Sequence, residues 1–332
     1  MRVAVVGASG LVGQKIIEGL EERQFPVSDF IPVASEKSRG KLISFNKQNY
    51  PCQSIDEALE NQCDLVLFSA GSDISLAYAQ RFAKKGAFVI DNSSAWRMDK
   101  QTPLVIPELN ADTLSVSKKV IANPNCSTIQ LLMALNGLHK TYEIDRLVVS
   151  TYQSVSGSGS EALSQMEAER EGHQHKKTYP YTIDQNCIPQ CDDFLENGYT
   201  KEEMKLVNES RKIWDQADLK VTATAVRVPV TGGHSESVNV RFKSDFKLQD
   251  VLQILNKSEG LVLKDNIDTL TYPMPLYAKN KDDVFVGRVR RDESEANSLN
   301  LWIVADNIRK GAATNAIQIA EALLERGFMK AH

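Results

Sequence analysis

The chain has 332 residues, 42% of them hydrophobic and 25% charged, with a net charge of −4. That length calls for more than one core, hence two domains, and the composition is that of a soluble globular protein. The mild negative charge, with no lysine- or arginine-rich arm, argues against a nucleic-acid partner, and apolar runs such as "DLVLFSA" are strand-sized rather than membrane-sized.

In chain order, "RVAVVG" (2–7) reads as a strand and is followed by an amphipathic helix from Leu11 to about Arg23. "DFIPVAS" (29–35), "DLVLFSA" (64–70), a helix from Ile74 to Lys85, "GAFVID" (86–91) and "KVIAN" (119–123) continue the alternation. Strand and helix in this rhythm predict a parallel sheet with helices on both faces. From about 145 the pattern changes. "RLVVSTYQSV" (146–155), "LKVTATAVRVPV" (219–230) and "SVNVRF" (237–242) are β-branched and alternating, which predicts a partly antiparallel sheet, with helical segments at 161–171 and 200–215. The 22 residues "IRKGAATNAIQIAEALLERGFM" (308–329) have helical spacing and are expected to pack back on the first domain. Met1 and Arg2 lead straight into a strand without the features of an export signal, and five scattered cysteines are unlike a disulfide framework, so a reduced, cytoplasmic protein is expected.

"VAVVGASGLVGQKI" sets Gly7, Gly10 and Gly13 between a strand and a helix. Glycines let backbone approach a pyrophosphate, and the helix start offers unpaired N–H groups and the positive end of its dipole. The spacing is not that of the commonest dinucleotide fingerprint, but its context is right, so the loop of Gly7, Ser9, Gly10, Leu11, Val12 and Gly13 is the candidate cofactor cradle. A tight turn without ligand is the bland alternative. The second strand ends in "ASEKSRGK", where an NAD-selective site carries an acid. Ser35, Lys37, Ser38 and Arg39 suit a 2′-phosphate instead and favour NADP, with Glu36 as the discordant residue.

"NPNCSTIQLLMALNGL" places Cys126 at a helix start, after Pro124 and the capping residue Asn125. A thiolate is favoured there, and backbone N–H groups are available for an oxyanion. A buried apolar cysteine suits Cys63 but not this polar turn. For a base, His139 is expected on the surface, His173 and His175 in solvent, and His332 is terminal. His234, after two glycines at a bend between strands, is the candidate to project into a cleft. "HQH" with "CIPQC" is a poor zinc pattern, so no metal is expected and the role of Cys187 and Cys191 stays open.

Taken together, "GASGLVG", "SSAWRM", "NPNCST", "TYQSVSGSG", "EEMK", "RVPVTGGHSES" and "DNIRKGAA" resemble the bacterial aspartate-β-semialdehyde dehydrogenases, in the family's order and from residue 7 to residue 313. The related N-acetyl-glutamyl-phosphate reductases usually have glycine where this chain has Asn125. The resemblance implies a Rossmann-like NADP-binding domain over 1–125, completed by the C-terminal helix at 307–330. An α/β catalytic and dimerisation domain over 126–306 would complete a glyceraldehyde-3-phosphate-dehydrogenase-like architecture.

The implied reaction is NADPH-dependent reductive dephosphorylation of L-aspartyl-4-phosphate through a cysteine thioester, in the biosynthesis of lysine, threonine, methionine and diaminopimelate. By resemblance Cys126 is the nucleophile, His234 the acid/base, Gln153 the residue orienting the acyl group, and Asn125 belongs with them. Arg227 would grip the α-carboxylate and Glu202 the ammonium, with Glu203 as the alternative acid; Lys205 and Arg97 would share the phosphate. Ser156, Gly157 and Asn307 would line the nicotinamide half, and Ala70 and Gly71 end a strand where the dinucleotide passes. A homodimer or homotetramer is implied. The rival readings are another acyl-phosphate reductase of this architecture and, from a different class, a non-catalytic NADP-binding sensor.

Overall fold

The computed structural model describes residues 1–330, so His332 lies outside the described residues. The chain forms two compact units, Met1–Asn125 with the stretch from Ala312 onward, and Cys126–Gly311.

The first unit is built on a parallel sheet in the order β2-β1-β5-β6-β7. Its strands are β1 (Arg2–Val6), β2 (Asp29–Val33), β5 (Leu65–Phe68), β6 (Phe88–Asp91) and β7 (Val120–Ala122). A small hairpin, β3 (Leu42–Phe45) and β4 (Gln48–Pro51), stands beside it. Both faces of the sheet are covered, which is why its strands read as unbroken apolar runs. Val3, Val5, Leu65, Leu67, Phe88 and Ile90 pack on one side against α1 (Leu11–Glu22) and α10 (Thr314–Glu325). Ala4, Val6, Val66, Phe68 and Val89 face the other side, with α2 (Ile55–Glu60) and α3 (Ser72–Lys84). A short α4 (Pro107–Asn110) completes the set. The C-terminal helix returns to this unit as the spacing predicts: Ile317, Ile319, Ala320 and Leu323 enter the core, and Arg23 pairs with Glu321 at 2.7 Å. A Cβ on Gly19 would lie 2.6 Å from Ile317 Cδ1, so glycine sets how closely α1 and α10 approach.

The second unit has a six-stranded mixed sheet, β11-β12-β13-β10-β8-β9. These are β8 (Ile144–Ser154), β9 (Lys220–Val228), β10 (His234–Phe242), β11 (Leu261–Leu263), β12 (Val284–Arg291) and β13 (Ser298–Ala305). The β8–β9 and β11–β12 pairs are parallel and the others antiparallel. The long helix α5 (Cys126–Tyr142) lies across one face and touches β8, β10, β12 and β13 below and α7 (Lys201–Ile213) and α8 (Leu248–Lys257) beside it. Sandwiched in this way it is buried all round from Ser127 to Leu135, wider than the single stripe of Ile129, Leu132, Leu135 and Leu138 that helical spacing suggests. Helices α6 (Ser160–Glu171) and α9 (Pro275–Ala278) complete the unit. Among the described residues no helix is long and apolar enough to cross a membrane.

Two histidines depart from expectation. His139 is half-buried, stacks on Trp214 at 4.3 Å between ring centroids and accepts the Ile144 N–H at 3.1 Å; burial pushes its pKa down. His175 is half-buried too, 3.2 Å from Glu169, a neighbour that only the turn after α6 supplies.

Candidate active site

The second unit gathers most of the predicted catalytic residues at one end of its sheet. Cys126 is the first residue of α5, partly exposed, and Gly311 lets the following turn press close, since a Cβ there would lie 2.8 Å from the Cys126 Cβ. The next residue, Ser127, is fully buried and accepts from Gln153 Nε2 at 2.8 Å. The same nitrogen donates to Glu202 Oε1 at 3.0 Å. One side-chain amide therefore ties the helix start, the end of β8 and the first turn of α7, and both its hydrogens are committed. Glu202 also receives Lys205 Nζ at 2.9 Å, one helical turn on, and Asp192 receives the same ammonium at 2.9 Å. Burial alone would lower the Lys205 pKa, but the two carboxylates outweigh it and hold the ammonium charged. Glu203 is the capping partner of Thr200 and accepts the Ala225 N–H at 2.9 Å, so it is occupied with the fold while Glu202 faces the cluster.

His234 opens β10 and is fully buried. Its Nδ1 accepts the backbone N–H of Ser154 at 3.1 Å, and a backbone amide can only donate, so the neutral ring carries its hydrogen on Nε2. That Nε2 has no partner among the described residues. Burial first, and then the Arg227 guanidinium, push the His234 pKa down to about 3. Arg227 on β9 is 6% exposed; it donates from Nη1 to the Ser154 carbonyl at 2.8 Å, and its Nε has no partner among the described residues. A Cβ on Gly157 would sit 2.9 Å from that Nη1 and 3.1 Å from His234 Nε2, so the missing side chain keeps both groups open. Asn307 accepts from Ser154 Oγ at 2.9 Å and from the Gly233 N–H at 3.1 Å and donates to Ser156 Oγ at 3.1 Å. It belongs to this second unit.

The open question over the other cysteines has a physical answer. Cys187 is exposed, and burial pushes the Cys191 thiol up to about 12, so Cys191 stays protonated and is no rival nucleophile.

In the first unit, Gly7 has φ +85° and a Cβ there would lie 2.3 Å from the Ser69 carbonyl oxygen; one on Gly13 would lie 2.1 Å from that of Gly7. The loop is thus pressed against the end of β5, beside Ala70 and Gly71, where the strand order reverses. Gly10 caps α1 with no side chain, leaving its first N–H groups to a ligand. These features fit a dinucleotide pyrophosphate. Ser35 and Lys37 are exposed after β2, but Arg39 is held by Glu57 and lies 3.8 Å from Glu36. Arg97 is buried and donates to the carbonyls of Asn123 at 2.9 Å and Asn92 at 2.8 Å, and Asn125 is buried as well.

The NAD-binding-domain model of the semialdehyde dehydrogenases matches residues 2–117, and their dimerisation-domain model matches residues 135–310. A curated aspartate-semialdehyde dehydrogenase of Aquifex aeolicus is 46% identical over 339 residues, covering 99% of each chain. The chain belongs to the aspartate-semialdehyde dehydrogenase family. The Bacillus subtilis member is 43% identical with 97% of each chain covered. Among solved structures, aspartate semialdehyde dehydrogenase II of Vibrio cholerae, complexed with ASA, superposes with TM-score 0.93 at 43% identity over 98% of each chain. The Candida albicans enzyme with NADP gives 0.78 at 25% identity over 99% of each.

Sequence reasoning passed over Ser127, Ser154 and Asp192. The first two adjoin Cys126 and Gln153 in the very motifs that carry the family, and the strand's alternation hides Ser154 because it ends β8. Asp192 comes from a loop without periodic signal.

Proposed function

We propose that the chain catalyses the NADPH-dependent reductive dephosphorylation of L-aspartyl-4-phosphate to aspartate 4-semialdehyde and phosphate, serving the biosynthesis of lysine, threonine, methionine and diaminopimelate. The observation that carries this reading is the Ser127–Gln153–Glu202–Lys205 line of hydrogen bonds running from the helix start that bears Cys126.

The Cys126 thiolate attacks the acyl carbon; the carbon–sulfur bond forms, the carbon–oxygen bond to phosphorus breaks, and phosphate leaves. Arg97 and Lys205 neutralise the departing charge. Lys205 gives two of its three N–H groups to carboxylates, which leaves the third for phosphate. Arg227 takes the α-carboxylate through its unpaired Nε, and Glu202 the ammonium. NADPH, when bound, would supply the hydride that reduces the thioester. The unpaired Nε2–H of His234 gives a hydrogen bond to the oxygen that gains charge and keeps its proton, and as that oxygen re-forms the carbonyl the carbon–sulfur bond breaks, releasing aldehyde and regenerating the thiolate. A carboxylate on Arg227 offsets the guanidinium charge and so makes proton uptake by His234 easier while substrate is bound.

Gly7, Ser9, Gly10, Leu11, Val12 and Gly13 cradle the pyrophosphate. Lys37, Ser35 and Ser38 are the better ligands for the 2′-phosphate, since Arg39 stands beside two carboxylates. Ser156, Gly157 and Asn307 order the nicotinamide side. Among the described residues no disulfide joins any of the five cysteines, which suits a reducing cytoplasm. A homodimer is favoured by the second unit's outer face, where Tyr152, 38% exposed, packs on Trp302 at 5.3 Å. Sedimentation distinguishes it from a tetramer.

The deciding experiment is phosphate-dependent NADP reduction with aspartate semialdehyde by the wild type and Cys126→Ala. Wild-type turnover with none in the variant, which still binds NADP and melts normally, is expected. Full activity in Cys126→Ala would sink the nucleophile, and no activity in the wild type would favour a sensor or another acyl-phosphate reductase.

A further inference from the structure

On the face of the second sheet that α5 covers, the residues that share the row with His234 should be apolar. Two layers down they are: Val238 stands opposite Val149 and Leu301, then Val240 opposite Leu147 and Leu299, all buried. Between them and the catalytic end lies an exception. Glu236 stands opposite Thr151 on β8 and Ile303 on β13, and all three are 0% exposed. From α5 above, Gln130, also 0% exposed, comes close enough to Glu236 to be the one polar side chain that lowers its pKa against the burial that raises it. Neither carboxyl oxygen of Glu236, nor the Thr151 hydroxyl, nor either polar atom of the Gln130 amide has a hydrogen-bond partner among the described residues.

Unpaired buried polar atoms destabilise a core, and a leucine or methionine at each site would be the more stable choice. Their position suggests what offsets that cost. Gln130 is four residues after Cys126, hence on the same helix face one turn behind the thiol. Glu236 is two residues after His234, on the same face of the strand and about 7 Å along it.

We propose that Glu236 is a positioning residue, clamping the helix that carries Cys126 to the strand that carries His234 through the side chain of Gln130. Among the described residues no cation faces Glu236: Thr151, Ile303 and Gln130 are uncharged, and its strand neighbours on this face are Val238 and the neutral His234. The carboxyl is therefore the neutral acid, with one donor and one acceptor. A small rotation of the two side chains lets its O–H donate to the Gln130 carbonyl oxygen while the Gln130 N–H donates back. Such a paired contact fixes the height of the thiol relative to the imidazole, because hydrogen bonds are directional and the hydrophobic contribution of an apolar pair is not.

The inference rests on Cys126 and His234 as the catalytic pair, so Cys126→Ala is run alongside. The variants are Glu236→Leu, Glu236→Gln, Gln130→Met and the Glu236→Leu/Gln130→Met double. We expect Glu236→Leu and Gln130→Met each to lower kcat roughly tenfold with little change in either KM, the effect of one lost positioning hydrogen bond. The double variant should be no worse than either single. Glu236→Gln, which keeps a donor and an acceptor without charge, should recover kcat to within about threefold and leave the pH profile in place. Should Glu236→Leu fail to fold, Gln130→Met against Glu236→Gln still decides. Wild-type kcat in Glu236→Leu or Gln130→Met, additive losses, or a Glu236→Gln as poor as the leucine variant would overturn the proposal. Turnover in Cys126→Ala would instead overturn the catalytic pair itself.

Discussion

Replacing His234 by asparagine separates its role in folding from its role in turnover. The ring is fully buried, and burial with the Arg227 charge pushes its pKa down to about 3, against about 6.5 in an unfolded chain. Below the unfolded value the unfolded state binds the proton and the folded state does not. The stability linked to this group is therefore complete above about pH 6.5 and is lost as pH falls towards the folded value. At about 1.36 kcal/mol per pH unit, the loss between pH 7.5 and pH 5 is roughly 2 kcal/mol, and this holds for any folded pKa below about 4. Asparagine does not titrate. His234→Asn should then gain roughly 2 kcal/mol relative to wild type on going from pH 7.5 to pH 5, whatever constant offset the substitution brings. Urea unfolding of both proteins at both pH values measures it. In the same variant kcat should fall by about two to four orders of magnitude with KM changing far less, the usual effect of losing a positioned acid/base. An unchanged difference in stability at the two pH values would mean that the imidazole is solvated and the burial argument wrong. A large rise in KM at constant kcat would make His234 a binding residue.

The two arginines should respond differently. Arg97→Leu should raise KM for phosphate, and Arg227→Leu KM for the semialdehyde, each by roughly ten- to a hundredfold, since each loses a charge-assisted contact. Initial rates in the oxidative direction with both substrates varied give the two constants, and coincident patterns would break the assignment. Gly157→Ala sets a methyl 2.9 Å from Arg227 Nη1 and 3.1 Å from His234 Nε2, so kcat/KM should drop by about one to two orders of magnitude without a fall in melting temperature. A fully active Gly157→Ala would show that neither group needs that opening.

The parallel sheet of the first unit was legible because burial on both faces leaves an unbroken apolar run, and "RVAVVG" or "DLVLFSA" announces that directly. β12 was not, for the opposite reason. "VFVGRVRR" has an apolar half buried beside β13 and a charged half exposed after the register shifts between Gly287 and Arg290, so neither alternation nor a continuous run survives along it. The site shows the same division. Cys126 and His234 sit in local patterns, a helix start and a strand start after two glycines, whose chemistry can be read from a few neighbours, whereas Gln153 came only through the family resemblance. What orients them arrives from far along the chain: Glu202 and Gln153 are 49 residues apart, and Ser154 and His234 are 80 apart. Glu236 carries neither kind of signal. In "GHSESVNV" it reads as an ordinary polar position on an alternating strand, and only the register puts it on the inward row. There burial, with no counter-ion among the described residues, pushes the carboxyl well above the usual carboxylate range. Its protonation state is a property of the layer it enters, not of the residue.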